Sequence, residues 1–233
     1  MSVQTRTKVY DFRGHCKFPA VASGVGSEWI SKATGSATIL GVSGGGVALA
    51  MDATSEVQNA CLYMGDILPF PIADIVRVEF IAKVSASLAA AVTAAFGLGT
   101  ARADDTDAIA TNMMFKLAGS NTVVLESDDG TTDTDDVSTG DTLSTTYKRF
   151  VIDLSEGGLT QTAPSLSLGG KSDVRFHMGN ANGSLRRVGA NQRFNVNAST
   201  SNLQLFAQIA KTSGTAVGTL TILEASVEYR LPV

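Results

Sequence analysis

The chain has 233 residues, 18 basic and 22 acidic side chains, and a net charge of −4, with charged residues at 17% and hydrophobic ones at 44%. That length suits one all-β domain whose core needs no metal or disulfide support. The acidic balance gives no global drive towards nucleic acid, and the longest apolar run, 86–99, is too short to cross a bilayer.

Residues 1–30 carry Gly14, Pro19, Gly24 and Gly26 without a regular period. They predict an extended N-terminal arm, followed by a single sandwich domain over 31–233. Arg6, Lys8 and Arg13 are followed by no apolar stretch, so the segment does not read as a secretory leader. A soluble chain made in a reducing cytosol is expected, with Cys16 and Cys61 as buried thiols.

Strand signals then dominate. Short β-rich runs span Ala37 to Val42, Val47 to Met51 and Cys61 to Met64. From 74 to 84 the pattern alternates cleanly, with Val76, Val78, Phe80, Ala82 and Val84 on one face and Arg77, Glu79 and Lys83 on the other. The Ala-rich stretch from Ser85 to Ala95 admits either a surface helix or a strand with a loop. Further runs follow at 113–117, 122–125, 149–154 and 174–178. Leu203 to Ile209 and Ala225 to Leu231 then alternate again. Glycine pairs and Asp-Gly or Asn-Gly steps separate the runs. Many short strands punctuated in this way predict an antiparallel two-sheet β-sandwich or jelly roll.

Few constellations carry chemistry. The two histidines, His15 and His177, sit in no motif for nucleophilic catalysis, and no serine lies in a G-x-S-x-G elbow. Gly170-Lys171-Ser172 ends like a phosphate loop, but position 165 is serine and a strand follows, so it reads as a turn. The tract from Glu126 to Asp141 is acidic and Asp128, Asp129, Asp133, Asp135 and Asp136 are candidate Ca²⁺ ligands. Its other reading is a solvated tip between strands. A basic stretch holds Lys171, Arg175, Arg186, Arg187 and Arg193. It pairs either with the acidic tract of a neighbouring subunit or with that of its own chain. A carbohydrate site would need exposed aromatics, near Trp29 or Tyr147, with amides such as Asn180 and Asn182. A hydrolase would need paired carboxylates, and neither Glu79 nor Glu228 has an evident mate.

The segments Gly44-Gly45-Gly46-Val47-Ala48-Leu49, Asn59-Ala60-Cys61-Leu62-Tyr63-Met64-Gly65-Asp66, Val76-Arg77-Val78-Glu79-Phe80 and Phe96-Gly97-Leu98-Gly99 resemble tailed-bacteriophage virion proteins with a lectin-like, concanavalin A-like jelly roll. The likeness is one of strand order over roughly 40–231. It implies a non-enzymatic capsid decoration (cement) protein on the virion surface, a homotrimer clamping the major capsid protein. On that reading the arm, with Tyr10 and Phe12, and the arginines Arg175, Arg186, Arg187 and Arg193 form the interface. The alternative is a carbohydrate- or receptor-binding module of a head fibre or tail.

Overall fold

The computed structural model describes residues 4–12, 28–43, 45–85, 88–155 and 170–231. In chain order its strands are β1 (Thr5–Asp11), β2 (Ile30–Thr34), β3 (Thr38–Gly41), β4 (Val47–Met51), β5 (Gln58–Tyr63), β6 (Phe70–Pro71), β7 (Ile75–Val84) and β8 (Val92–Gly99). They continue as β9 (Asn112–Ala118), β10 (Thr122–Asp128), β11 (Asp133–Thr142), β12 (Lys148–Asp153), β13 (Arg175–Asn180), β14 (Leu185–Val188), β15 (Asn202–Lys211) and β16 (Gly218–Arg230).

Two antiparallel sheets form a sandwich. The first runs β14-β13-β12-β7-β16-β4-β3, and the second runs β11-β10-β9-β8-β15-β5-β2. Sheet order follows from where the chain alternates. On β7 the residues Val78, Phe80, Ala82 and Val84 all enter the core, while Arg77, Glu79 and Lys83 face out. On β15 the inward residues are Leu203, Leu205, Ala207 and Ile209. The core centres on touching phenylalanine rings, Phe80, Phe96, Phe115, Phe150, Phe176 and Phe194, at centroid distances of 4.8–5.8 Å. Each such ring brings a large apolar area and edge-to-face contacts.

The expected arm is partly a strand. β1 pairs with β16 from Thr5↔Arg230 to Asp11↔Glu224. Tyr10 and Phe12, expected at an interface with another chain, lie in this chain's own core at 8% and 2% exposure. Both rings meet Trp29 edge-on. They are therefore not surface that a capsid could cover. The remainder of the arm, residues 13–27 with Cys16 and His15, lies outside the described residues.

Three further expectations change. The Ala-rich stretch holds no helix among its described residues, because Val92, Ala94 and Phe96 supply an inward stripe and start β8. The acidic tract is edge strand β11, not a tip. Val137 packs on the core and the Thr139 hydroxyl donates to Val123 O at 2.7 Å. Arg186 and Arg187 lie on β14, not in a loop.

Between β8 and β9, residues 100–111 cross the outer face of the second sheet. Ile109 packs there on Ala95, Met114 and Phe206, a small apolar cluster separate from the main core.

Candidate functional site

The rim where β12, β13 and β14 of the first sheet meet β11 of the second carries a groove in two parts. One, about 460 Å³, is bounded by Thr146, Tyr147 and the β13–β14 turn from Asn180 to Gly183. The other, about 360 Å³, shares Asn180 and adds Asp141, Lys148 and Arg186. The turn arises locally: after Asn180 the Gly183 N–H donates to the Asn180 carbonyl at 2.9 Å, closing the hairpin.

Tyr147 is held rigidly. Its hydroxyl donates to Gly45 O at 3.1 Å, and the Lys83 ammonium sits 4.4 Å from the ring centroid. Gly46, at φ +107°, makes room for it, since a Cβ there would lie 3.1 Å from the tyrosine oxygen and 3.0 Å from Ile222 O. Beside the ring, Asn180 and Asn182 are exposed and their amides are bonded to nothing among the described residues. The charged lining is already neutralised: Arg186 pairs with Asp141, and Lys148 Nζ donates to Thr142 O at 2.7 Å. An aromatic ring, two open amides and compensated charge make a surface suited to neutral, polyhydroxylated ligands.

The other expected site residues are dispersed. Among the described residues no group of three or more His, Cys, Asp or Glu is placed to hold a metal ion. Asp129 accepts from the N–H groups of Thr131, Thr132 and Ala198 at 3.0, 2.7 and 3.0 Å. These bonds outweigh its burial and hold its carboxyl below the usual range. Asp128 accepts from Gly130 N at 2.7 Å, and Asp136 pairs with Lys116. Asp133 and Asp135 lie on β11, where burial and the neighbouring Asp135 charge raise the Asp133 pKa. Calcium ligation by these five residues is therefore corrected: backbone N–H groups and a lysine occupy the oxygens that a cation would need.

The arginines are engaged within the chain. Arg175 and Arg187 both reach Asp173, at 3.0 and 3.4 Å, and Arg193 donates to Ser172 O at 2.7 Å. Acidic tract and basic stretch do meet, through Asp141 and Arg186, but in one molecule. Trp29 is buried at 7% and is no platform. His177 is buried on β13, which lowers its pKa, and Cys61 is a buried thiol pushed up to about 12 by burial.

One further ionisable cluster escaped the sequence. Lys116, on the outer face of β9, contacts Asp107 at 2.6 Å, Glu126 at 3.2 Å and Asp136 at 3.2 Å. Burial raises the Glu126 pKa to about 7, although Lys116 opposes this. Burial alone would lower Lys116, but its bond to Asp107 and the Glu126 charge hold it above the usual range. Their spacing, Lys116 to Glu126 across a hairpin, gave no signal in the linear chain.

No protein-family model matches the chain, and no curated protein matches it either. Solved structures do. Peanut lectin, in a complex with a 9-residue peptide, is 11% identical with a TM-score of 0.59, covering 99% of this chain and 100% of the lectin. The fold is that of the lectin-like jelly rolls. A protein of unknown function from Shewanella oneidensis MR-1 is 13% identical with a TM-score of 0.61, covering 99% of this chain and 88% of its own. A chain from a study of endo-acting O-glycanases of the human gut microbiota, which initiate mucin breakdown, is 11% identical with a TM-score of 0.62, covering 99% and 100%. At these identities the likeness concerns the fold.

Proposed function

We propose that the protein is a carbohydrate-binding module that holds a neutral glycan in the rim groove. The observation that carries this reading is Tyr147, pinned by Gly45 O and Lys83 beside the open amides of Asn180 and Asn182. A sugar's C–H face stacks on the ring, while vicinal hydroxyls exchange hydrogen bonds with amides that can both donate and accept. The lectin-like neighbours support the reading, with the printed activity belonging to them. Binding without cleavage fits the lining, whose one carboxylate, Asp141, is tied to Arg186. Glycoside hydrolysis needs two such groups flanking the bond.

Attachment to a virion rests on the resemblance in the sequence alone. In that setting the module would sit on the particle and engage a surface glycan, in line with the fibre or tail alternative.

The test is a glycan array followed by titration calorimetry of the best binder against the protein and Tyr147→Ala. Loss of the ring should weaken binding by about tenfold or more, in keeping with the share that anchor residues carry at recognition sites. The melting temperature should hold within about 2 °C, as for a substitution that removes half-exposed contacts. Equal affinity of the two proteins would reject the groove as the site.

A further inference from the structure

We propose a second ligand site, on the outer face of the second sheet, that takes a sugar bearing a protonated amine. Strand register builds it. Thr34, Asn59, Ala210 and Thr93 stand directly opposite one another across β2, β5, β15 and β8, forming one row on that face. The next row along, Cys61, Gln208 and Ala95, is roofed by the 100–111 connection. The Asp104 carbonyl ties this roof down by accepting from Asn59 Nδ2 at 3.2 Å and from Gln208 Nε2 at 2.7 Å. The roof stops short of the first row. A cavity of about 450 Å³ remains beneath the overhanging Asp104 and Asp105.

Its chemistry is one-sided. The apolar part comes from Ala90, Ala91, Ala210 and Val57, the last 61% exposed and so a large aliphatic side chain open to a ligand. Thr34 and Thr93 bring exposed hydroxyls. The cation in the lining is withdrawn: Lys211 is 2% exposed, and its ammonium donates to the carbonyls of Asp52, Thr54 and Ala216 at 2.6, 2.9 and 3.1 Å. Asn59 is likewise engaged at both ends of its amide, by Asp104 O and Arg102. What remains is acceptor. Asp104 is 74% exposed and answers Arg102 on one side, while Asp105 is exposed and only caps the Asp107 N–H at 3.2 Å. Under the same overhang Gln208 is 2% exposed, and its Oε1 has no partner. A surplus of acceptors and negative charge over an aliphatic floor fits a ligand with a cationic donor on a compact ring. A uronate or other acidic sugar meets like charge instead.

The experiment is an NMR titration of the full chain with a de-acetylated glucosamine oligosaccharide, its N-acetylated counterpart and a glucuronate oligosaccharide. The same titration is run on Asp105→Asn, which keeps the cap acceptor, on Ala210→Leu, which fills the floor, and on Tyr147→Ala. The amine form should shift resonances of Thr93, Asp105 and Ala210. It should bind at least about fivefold more tightly than the other two, about the discrimination of one charge-assisted hydrogen bond. Asp105→Asn and Ala210→Leu should each remove most of that binding, and Tyr147→Ala should leave it intact. Equal response to the amine and N-acetyl forms, no response at millimolar ligand, or an unaffected Asp105→Asn variant would overturn the proposal. Loss of amine binding in Tyr147→Ala alone would overturn it too, since the ligand would then belong to the rim groove.

Discussion

Glu126 shows how one side chain can set a pH dependence. It is 1% exposed, held by Asn112 Nδ2 at 3.0 Å and Lys116 Nζ at 3.2 Å. Its folded pKa of about 7 lies above the unfolded value. The folded state therefore keeps a proton that the unfolded chain has released, and stability falls as pH rises from about 4.5 to 7, by no more than about 3 kcal/mol. Urea unfolding across that window should show the decline, and Glu126→Gln should flatten it while the slope outside the window stays the same. At Gly46, alanine meets a strained φ and the Tyr147 oxygen. Gly46→Ala should lower glycan affinity by displacing the ring, which titration beside the wild type would show.

At the scale of elements, the central strands were legible and the edges were not. β7 and β15 alternate without interruption because each lies in the middle of its sheet with one face on the core. β16 alternates in two phases. A bulge between Ile222 and Glu224 moves the inward set from Leu220 and Ile222 to Ala225 and Val227, so only the second phase stood out. β11 hid behind its aspartates, since a solvent-facing edge tolerates charge that would mark a loop elsewhere. β1 hid because its pattern is short and its partner, β16, lies at the other end of the chain. Of the candidate site, Tyr147, Asn180 and Asn182 could be named from residue type. Their meeting depends on the β12–β13 register, which no local pattern encodes.

Two predictions belong here. Phe12→Ala should cost about 3–5 kcal/mol, as for other fully buried phenylalanines, and removal of residues 1–12 should lower the melting temperature strongly. A loose arm would leave both values unchanged. Gly97→Ala should destabilise by more than about 2 kcal/mol, because its Cβ would lie 2.2 Å from Met113 O and 2.7 Å from Met114 Cα, both backbone atoms that cannot yield cheaply. Denaturant titration of each variant checks these values.

Across the whole molecule, charge is divided between the two faces. Asp104, Asp105, Asp107, Glu126, Asp128 and Asp136 gather on and around the outer side of the second sheet, against Arg102 and Lys116. The first sheet and its rim carry Lys83, Lys148, Arg149, Arg175, Arg186 and Arg187 beside Glu79, Asp141 and Asp173. One body thus offers a compensated aromatic groove at its rim and an acidic cavity on a face, which differ in how salt acts on them. Binding at the rim should hardly change between low and physiological salt, while amine binding at the cavity should weaken. The measurement that bears most directly on the rim groove is calorimetric titration of an array-selected neutral glycan against wild type and Tyr147→Ala. Affinity in the first and its loss in a folded Tyr147→Ala is the expected result. Retained affinity in that variant, or no glycan bound by the wild type, would contradict the carbohydrate-binding account.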